Sequence, residues 1–229
     1  MYRNPLDLRL LATGGAADTT AHVTELVLAG WTGSDRATLQ QHIDELAKLG
    51  VKPPPSVPCF YRVGAGLITL ADEIQVVGND TSGEVEFVLF ALPEGLYVGV
   101  GSDHTDRKAE SYDIALSKQL CFKPIARDLW RFDEVAPHWN SLLLRSYSVQ
   151  HGHRVLYQEG AVGAMLAPLQ LIERYTGGGT LATGTVMFSG TLPAKSGVEG
   201  GEMFEIELID PVRDRELAHS YSVRALPHV

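Results

Sequence analysis

The sequence predicts an α+β, strand-rich fold with a curled, mainly antiparallel or mixed sheet and few helices. Twenty-three Gly and 12 Pro are spread along 229 residues, and the segments between them alternate apolar and polar side chains. That period of two is the mark of half-buried strands. Helical patterns are few and scattered, and no regular strand–helix alternation suggests βαβ units.

Residues 6–12 and 22–29 read as an opening strand pair. The clearest helix follows at about 35–49, where Ser34 or Asp35 can cap it and Leu39, Ile43 and Leu46 form an apolar stripe. Gly50 and Pro53-Pro54-Pro55 end it. Pro53 to Pro58 then reads as a hinge between an N-terminal annex, 1–58, and a β-rich core, 59–229, within one domain. LITLADEIQVVG and GEVEFVLFALPEGLYVGVG are consecutive strands, the latter folding at Pro93-Glu94-Gly95. A helix is expected over 106–118, opened by Thr105 or Asp106. RSYSVQ and HRVLYQEG form a hairpin through His151-Gly152, and 161–175 form a helix interrupted near Pro168. The tail returns to strands in GTVMFSGTLP, EMFEIELIDP and LAHSYSVRAL.

Composition bounds the function. Hydrophobic residues are 45% and charged residues 21%, ordinary for a globular chain. At this length roughly 70% of the unfolded surface can be buried, so a core needs no disulfide or structural metal. The net charge of −9 opposes a phosphate backbone, so no nucleic-acid partner is expected. Cys59 and Cys121 lie far apart without zinc-ligand spacing and are expected as buried thiols. No secretory signal and no run of 18 apolar residues is evident, so a soluble, cytoplasmic protein without a membrane partner is expected.

In GEVEFVLF, alternation puts Glu84 and Glu86 on one face and Val85, Phe87 and Leu89 on the other. Val88 and Phe90 continue the glutamate face, which is therefore apolar farther along. Two carboxylates there must be compensated by a cation or one must protonate. Glu205 and Glu207 have the same spacing. The first pair is distinguished by GVGSDHTDR, where Gly99 and Gly101 are expected to loosen the backbone before Asp103, His104, Asp106 and Arg107. Three carboxylates suit Mg²⁺ or Mn²⁺ better than zinc. Asp210 and Asp214, near the second pair, read as a charged turn. His42 and Glu45 share a helix flank, as a general base and its orienting carboxylate would. His104, His151 and His153 read as solvent or turn histidines. The glycine run at 177–179 lacks the Walker pattern, and Ser189-Gly190-Thr191 offers hydroxyls on a glycine loop without nucleophile-elbow spacing.

The order of these pieces resembles the fumarylacetoacetate hydrolase (FAH) superfamily over roughly residues 35–215. His42-Ile43-Asp44-Glu45 matches its H-x-x-E lid dyad, and Cys59-Phe60-Tyr61-Arg62 its aromatic-rich strand. Glu84-Val85-Glu86 matches the metal-binding E-x-E, Ser102–Arg107 the following acidic turn, Lys118 the family lysine, and Gly184–Pro193 the C-terminal motif. Ser82-Gly83 replace the usual His-Pro, Lys108 and Cys121 replace two family Asp residues, and the Glu86–Asp103 spacing is short. The resemblance implies an FAH-like mixed β-roll with Glu84, Glu86 and Asp103 holding Mg²⁺ or Mn²⁺. It further implies His42, oriented by Glu45, as the base, and Lys118 as a catalytic cation. Arg62, Arg107 and Thr191 would bind a small carboxylate or dicarbonyl substrate, in a homodimer. The implied reaction is C–C hydrolysis of acylpyruvate-type 2-oxo acids. A hydratase, decarboxylase or isomerase on the same site, or a non-catalytic ligand-binding protein, is the alternative.

Overall fold

The computed structural model describes residues 3–227 except 38, 41–43, 45–53, 55 and 196. Strands β1 (Asn4–Ala12), β2 (Gly15–Val23) and β3 (Glu25–Gly30) open the chain. They are followed by β4 (Cys59–Val63), β5 (Ile68–Thr69), β6 (Glu73–Val77), β7 (Thr81–Ser82), β8 (Val85–Leu92), β9 (Gly95–Ser102) and β10 (Thr105–Asp106). Short helices α1 (Arg107–Glu110) and α2 (Ile114–Gln119) come next, then β11 (Lys123–Pro124), β12 (Asp128–Arg131) and α3 (Phe132–Val135). The last elements are β13 (Leu143–Gln150), β14 (His153–Ala161), α4 (Pro168–Thr176), β15 (Thr185–Phe188), β16 (Met203–Asp210) and β17 (Arg215–Leu226).

The strands form an eight-stranded sheet, β2-β1-β12-β9-β8-β15-β3-β4, and a five-stranded sheet, β14-β13-β16-β17-β6. Pairing is mostly antiparallel, with parallel contacts at β1–β12, β15–β3 and β17–β6. The sheet is mixed, as expected. β8 is buried along its whole length because both faces of the large sheet are covered. Val85, Phe87 and Leu89 pack with Leu144, Ile206, Leu208 and Leu217 of the second sheet. Val88, Phe90 and Leu92 join Leu6, Leu8 and Leu10 of β1 and Leu26 and Leu28 of β3. Strands from opposite halves of the sheet thus share one core on this face, which requires the sheet to curl. Each such side chain contributes roughly 1.5–3 kcal/mol on burial.

Several expectations need correction. β1 pairs with β2, whereas β3 lies between β15 and β4. The polar, largely exposed segment Gly15–Val23 carries too little apolar alternation to announce a strand. β1–β3, which fall within the expected annex 1–58, are members of the large sheet. The helix expected over 106–118 is two helices, capped by Asp106 through Ala109 N at 2.8 Å and by Asp113 through Leu116 N at 2.8 Å. Pro168 does not interrupt a helix; it occupies the first turn of α4, where it costs no hydrogen bond. Of the helix at 35–49, residues 36, 37, 39, 40 and 44 are described and helical. His42, Ile43, Glu45 and Leu46 lie outside the described residues.

The two expected hairpins are present. β8 and β9 join through Pro93-Glu94, with Leu92 opposite Gly95. β13 and β14 join through His151 (φ 51°) and Gly152 (φ 76°), the paired left-handed conformations of a tight hairpin turn. Cys59 and Cys121 are buried free thiols. No helix among the described residues is long and apolar enough to cross a membrane.

Gly99 and Gly101 do not loosen the backbone; they are notches in β9. A Cβ on Gly99 would lie 2.6 Å from Leu129 Cδ2, and one on Gly101 would lie 2.8 Å from Phe188 Cε1. Gly99→Ala is therefore expected to destabilise the protein by about 1–3 kcal/mol through overpacking, read from the denaturant midpoint.

The turn after β16 is organised by fully buried Asp210, which accepts from His138 Nε2 at 2.9 Å and Arg215 Nε at 3.1 Å. Burial opposes its charge, but these donors and Arg213 N outweigh that and hold its carboxyl below the usual value. A depressed folded value contributes stability above the unfolded value of about 4, lost as pH falls through the folded value. Asp210→Asn is expected to flatten the acid limb of a stability–pH curve, while unchanged acid sensitivity would assign that limb elsewhere.

Candidate metal centre

The β8–β9 hairpin builds the site. Val85 faces Ser102 and Glu86 faces Gly101, so the same register brings Glu84 beside Asp103, whose N–H donates to Glu84 O at 2.9 Å. Glu84, Glu86, Gly99, Gly101 and Asp103 share one face. The carboxylates converge at its open end, where one oxygen from each of Glu84, Glu86 and Asp103 lies within 4.8 Å of the others. Glu86 is 2% and Asp103 1% exposed, so each must protonate or gain charge compensation.

Three cations supply it. Lys118, near the end of α2, is itself buried and contacts Asp103 Oδ2, with Glu84 Oε2 at 3.4 Å. Lys123 on β11 is fully buried, 3.1 Å from Asp103 Oδ1, and donates to His104 O at 2.7 Å. Arg107, at the start of α1, meets Glu84 at 2.9 Å and Glu110 at 2.8 Å and donates to Ser82 Oγ at 2.7 Å. Glu86 has no ion pair among the described residues; its Oε2 accepts from Gly190 N at 2.7 Å.

The charge states follow. Burial first, then Asp103 and Glu84, pushes the Glu86 carboxyl well above its usual value, although Lys118 and Gly190 N oppose this. Burial also disfavours charged Asp103, but Lys118 and Lys123 outweigh it and hold its carboxyl low. The Lys118 ammonium is held against burial by Asp103, Glu84 and Glu86. Burial, reinforced by Lys118, lowers Lys123 despite Asp103.

Behind the carboxylates runs a neutral hydrogen-bond chain. Thr81 Oγ1 pairs with His104 Nε2 at 2.9 Å, and His104 Nδ1 with Tyr221 OH at 3.0 Å. Tyr221 OH pairs with Ser102 Oγ at 2.7 Å, which accepts from Glu84 N at 3.1 Å. Burial, then Lys123 and Arg107, pushes the His104 imidazole down to about 3, so it is neutral. His104 is thus a buried link rather than a solvent or turn histidine. Gly83 lies against the same chain, where a Cβ would be 2.8 Å from Tyr221 OH.

Other expected site residues are placed differently. The Thr191 hydroxyl donates to Val85 O at 2.8 Å and accepts from Gln158 Nε2 at 2.8 Å, so it braces the start of β8. Arg62 is exposed on β4 and pairs with Glu25 at 2.8 Å; among the described residues no hydrogen bond or ion pair links it to the acidic cluster. Arg107 is fully engaged as a brace of Glu84. The second glutamate pair is ordinary surface pairing, Glu205 with Arg154 at 2.8 Å and Glu207 with Arg145 at 3.5 Å. Lys123, Gln158 and Tyr221 were not singled out by sequence. A lysine inside the apolar stretch CFKPI was the available signal for the first; the other two sit in ordinary strand alternation.

The residues present fit a hard divalent cation. The donors are carboxylate oxygens, and buried Asp103 Oδ1 has no hydrogen bond among the described residues, its ion-pair partner being the Lys123 ammonium at 3.1 Å.

Residues 29–221 match the family model described as "Protein of unknown function (DUF2848)". The chain belongs to this family. No curated protein sequence matches it. Among solved structures, this chain shares its fold with FAH-family proteins. Cg1458 with inhibitor superposes at TM-score 0.66 with 17% identity, over 93% of this chain and 84% of that one. Yeast ynq8, a fumarylacetoacetate hydrolase family protein, gives 0.63 with 16% identity over 90% and 95%. A 2-keto-3-deoxy-D-arabinonate dehydratase complexed with magnesium and 2,5-dioxopentanoate gives 0.60 with 16% identity over 89% and 74%.

Tyr221→Phe would leave Ser102 Oγ and His104 Nδ1 without their shared partner. It is expected to cost about 1–3 kcal/mol in urea unfolding; an unchanged midpoint would mean the chain is not a structural support.

Proposed function

We propose that the protein is a divalent-metal-dependent enzyme that hydrolyses a C–C bond in 1,3-dicarbonyl or acylpyruvate-type 2-oxo acids. The observation that carries this reading is the convergence of Glu84, Glu86 and Asp103 on one buried face beside the Lys118 ammonium. A Mg²⁺ or Mn²⁺ ion held by those carboxylates would supply Lewis-acid polarisation of a carbonyl oxygen. Lys118 brings positive charge for a substrate carboxylate or a developing oxyanion. Arg107 keeps Glu84 oriented, and Thr191 with Gln158 fixes the Val85 backbone between Glu84 and Glu86. His42, with Glu45 setting its tautomer, takes the proton from the attacking water; this role rests on the H-x-x-E spacing. Arg62 contributes only if it leaves Glu25 for an incoming carboxylate. A cytoplasmic homodimer completes the reading.

A lyase acting on the same substrates is the second reading. It is favoured by the fold shared with a dehydratase bound to magnesium and 2,5-dioxopentanoate, and it needs a proton moved rather than a water activated.

Product analysis by mass spectrometry with a panel of acylpyruvates and sugar-derived 2-oxo acids tests both. Turnover should vanish with a chelator, return with Mg²⁺ or Mn²⁺, and fall on the order of 100-fold or more in Glu86→Gln. Incorporation of solvent oxygen with C–C cleavage supports hydrolysis, loss of water supports the lyase, and chelator-insensitive turnover refutes both.

A further inference from the structure

The charges around the site are nearly balanced without any metal. Glu84, Glu86, Asp103 and Glu110 face Arg107, Lys118 and Lys123 in one connected cluster. A divalent cation would leave five positive charges against four negative ones in a largely dry site. Withdrawing one ammonium restores the balance.

The geometry selects which one. Arg107 is tied to Glu84, Glu110 and Ser82 and, among the described residues, makes no ion pair with Asp103 or Glu86. Lys123 is fully buried and anchored to His104 O at 2.7 Å, so its position is set by the backbone as well as by Asp103. Lys118 differs from both. Among the described residues its hydrogen-bond and ion-pair partners are the carboxylates of Asp103 and Glu84, two of the three candidate ligands. Its side chain reaches in from a six-residue helix and retains 9% exposure, a route back toward solvent. Two positive charges held at the same pair of carboxylates repel one another, and a divalent ion doubles that repulsion. Lys118 and a divalent cation therefore exclude one another from these oxygens.

We propose that Lys118 is a built-in counter-ion that leaves Asp103 and Glu84 when a divalent cation enters. Metal loading and release of the lysine ammonium toward the substrate side are then one event. The proposal rests on the metal reading above and adds the order of assembly: the cation must be in place before Lys118 can meet a substrate carboxylate.

Mn²⁺ titration by calorimetry and electron paramagnetic resonance, on wild type and Lys118→Met, tests it. With the competitor removed, Lys118→Met should bind Mn²⁺ at least tenfold more tightly. Equal or weaker binding, with wild type still binding, overturns this inference and leaves the metal reading standing. No Mn²⁺ bound by either protein overturns both. Because Lys118→Met leaves its carboxylates less compensated and can fail to fold, a second measurement uses wild type alone. Acylation of Lys118 by an amine reagent, followed by peptide mass spectrometry, should accelerate at least tenfold with saturating Mn²⁺. An unchanged or slower rate refutes the displacement.

Discussion

Placing Glu84, Glu86 and Asp103 on one buried face of the β8–β9 hairpin is the constraint from which the rest of the site follows. Carboxylates this close repel one another and lose hydration, so the fold must bring cations to them. It does so from three elements that follow the hairpin in sequence: Arg107 at the start of α1, Lys118 on α2 and Lys123 on β11. These elements are short and contribute little apolar packing compared with the sheets. Their placement makes sense as the means of delivering three positive side chains to one point.

Much of this was legible because strand alternation and hairpin register are arithmetic. Once the turn is placed at Pro93-Glu94, residue 92 faces 95, and counting outward brings 84 opposite 103. The short spacing between Glu86 and Asp103 is thus the direct hairpin connection, and it brings the acids together without an intervening element. The central strands were legible for the same reason. β2 was not, because its exposed polar residues take strand form by pairing with β1, a non-local interaction that leaves no local pattern. The break at Ser111–Asp113 was hidden because Asp113 can serve as an interior helical residue or as a cap, and only the fold chooses.

The compensating cations were legible in part. Arg107 and Lys118 were identified as site residues, but their present partners are protein carboxylates. Sequence spacing cannot tell a cation awaiting a substrate from one already engaged. For Lys123 the apolar neighbours in CFKPI were the one signal, and they do not give the burial order, since Phe122 is 39% exposed while Lys123 is fully enclosed. Gly83 shows the converse. Replacing the Pro that the FAH pattern has there removes the ring atoms that Tyr221 OH would strike, so the departure is matched by a tyrosine hydroxyl lying 2.8 Å from where a Cβ would be.

Among the acids, Glu86 is the one whose charge is not provided for. Arg107, Lys118 and Lys123 make direct contact with Glu84, Asp103 and Glu110, three cations for three carboxylates. Glu86 receives one backbone N–H, lies deepest along the strand, and favours its protonated form. Neutral Glu86 balances the closed set without any further ion. An entering divalent cation changes the balance in two places, favouring the carboxylate form of Glu86 and making one ammonium superfluous. Both adjustments move positive charge out of the cluster, a proton in one case and Lys118 in the other. Charge in the cluster can therefore balance in two arrangements, one with neutral Glu86 and Lys118 in place, the other with a divalent cation and both adjustments made.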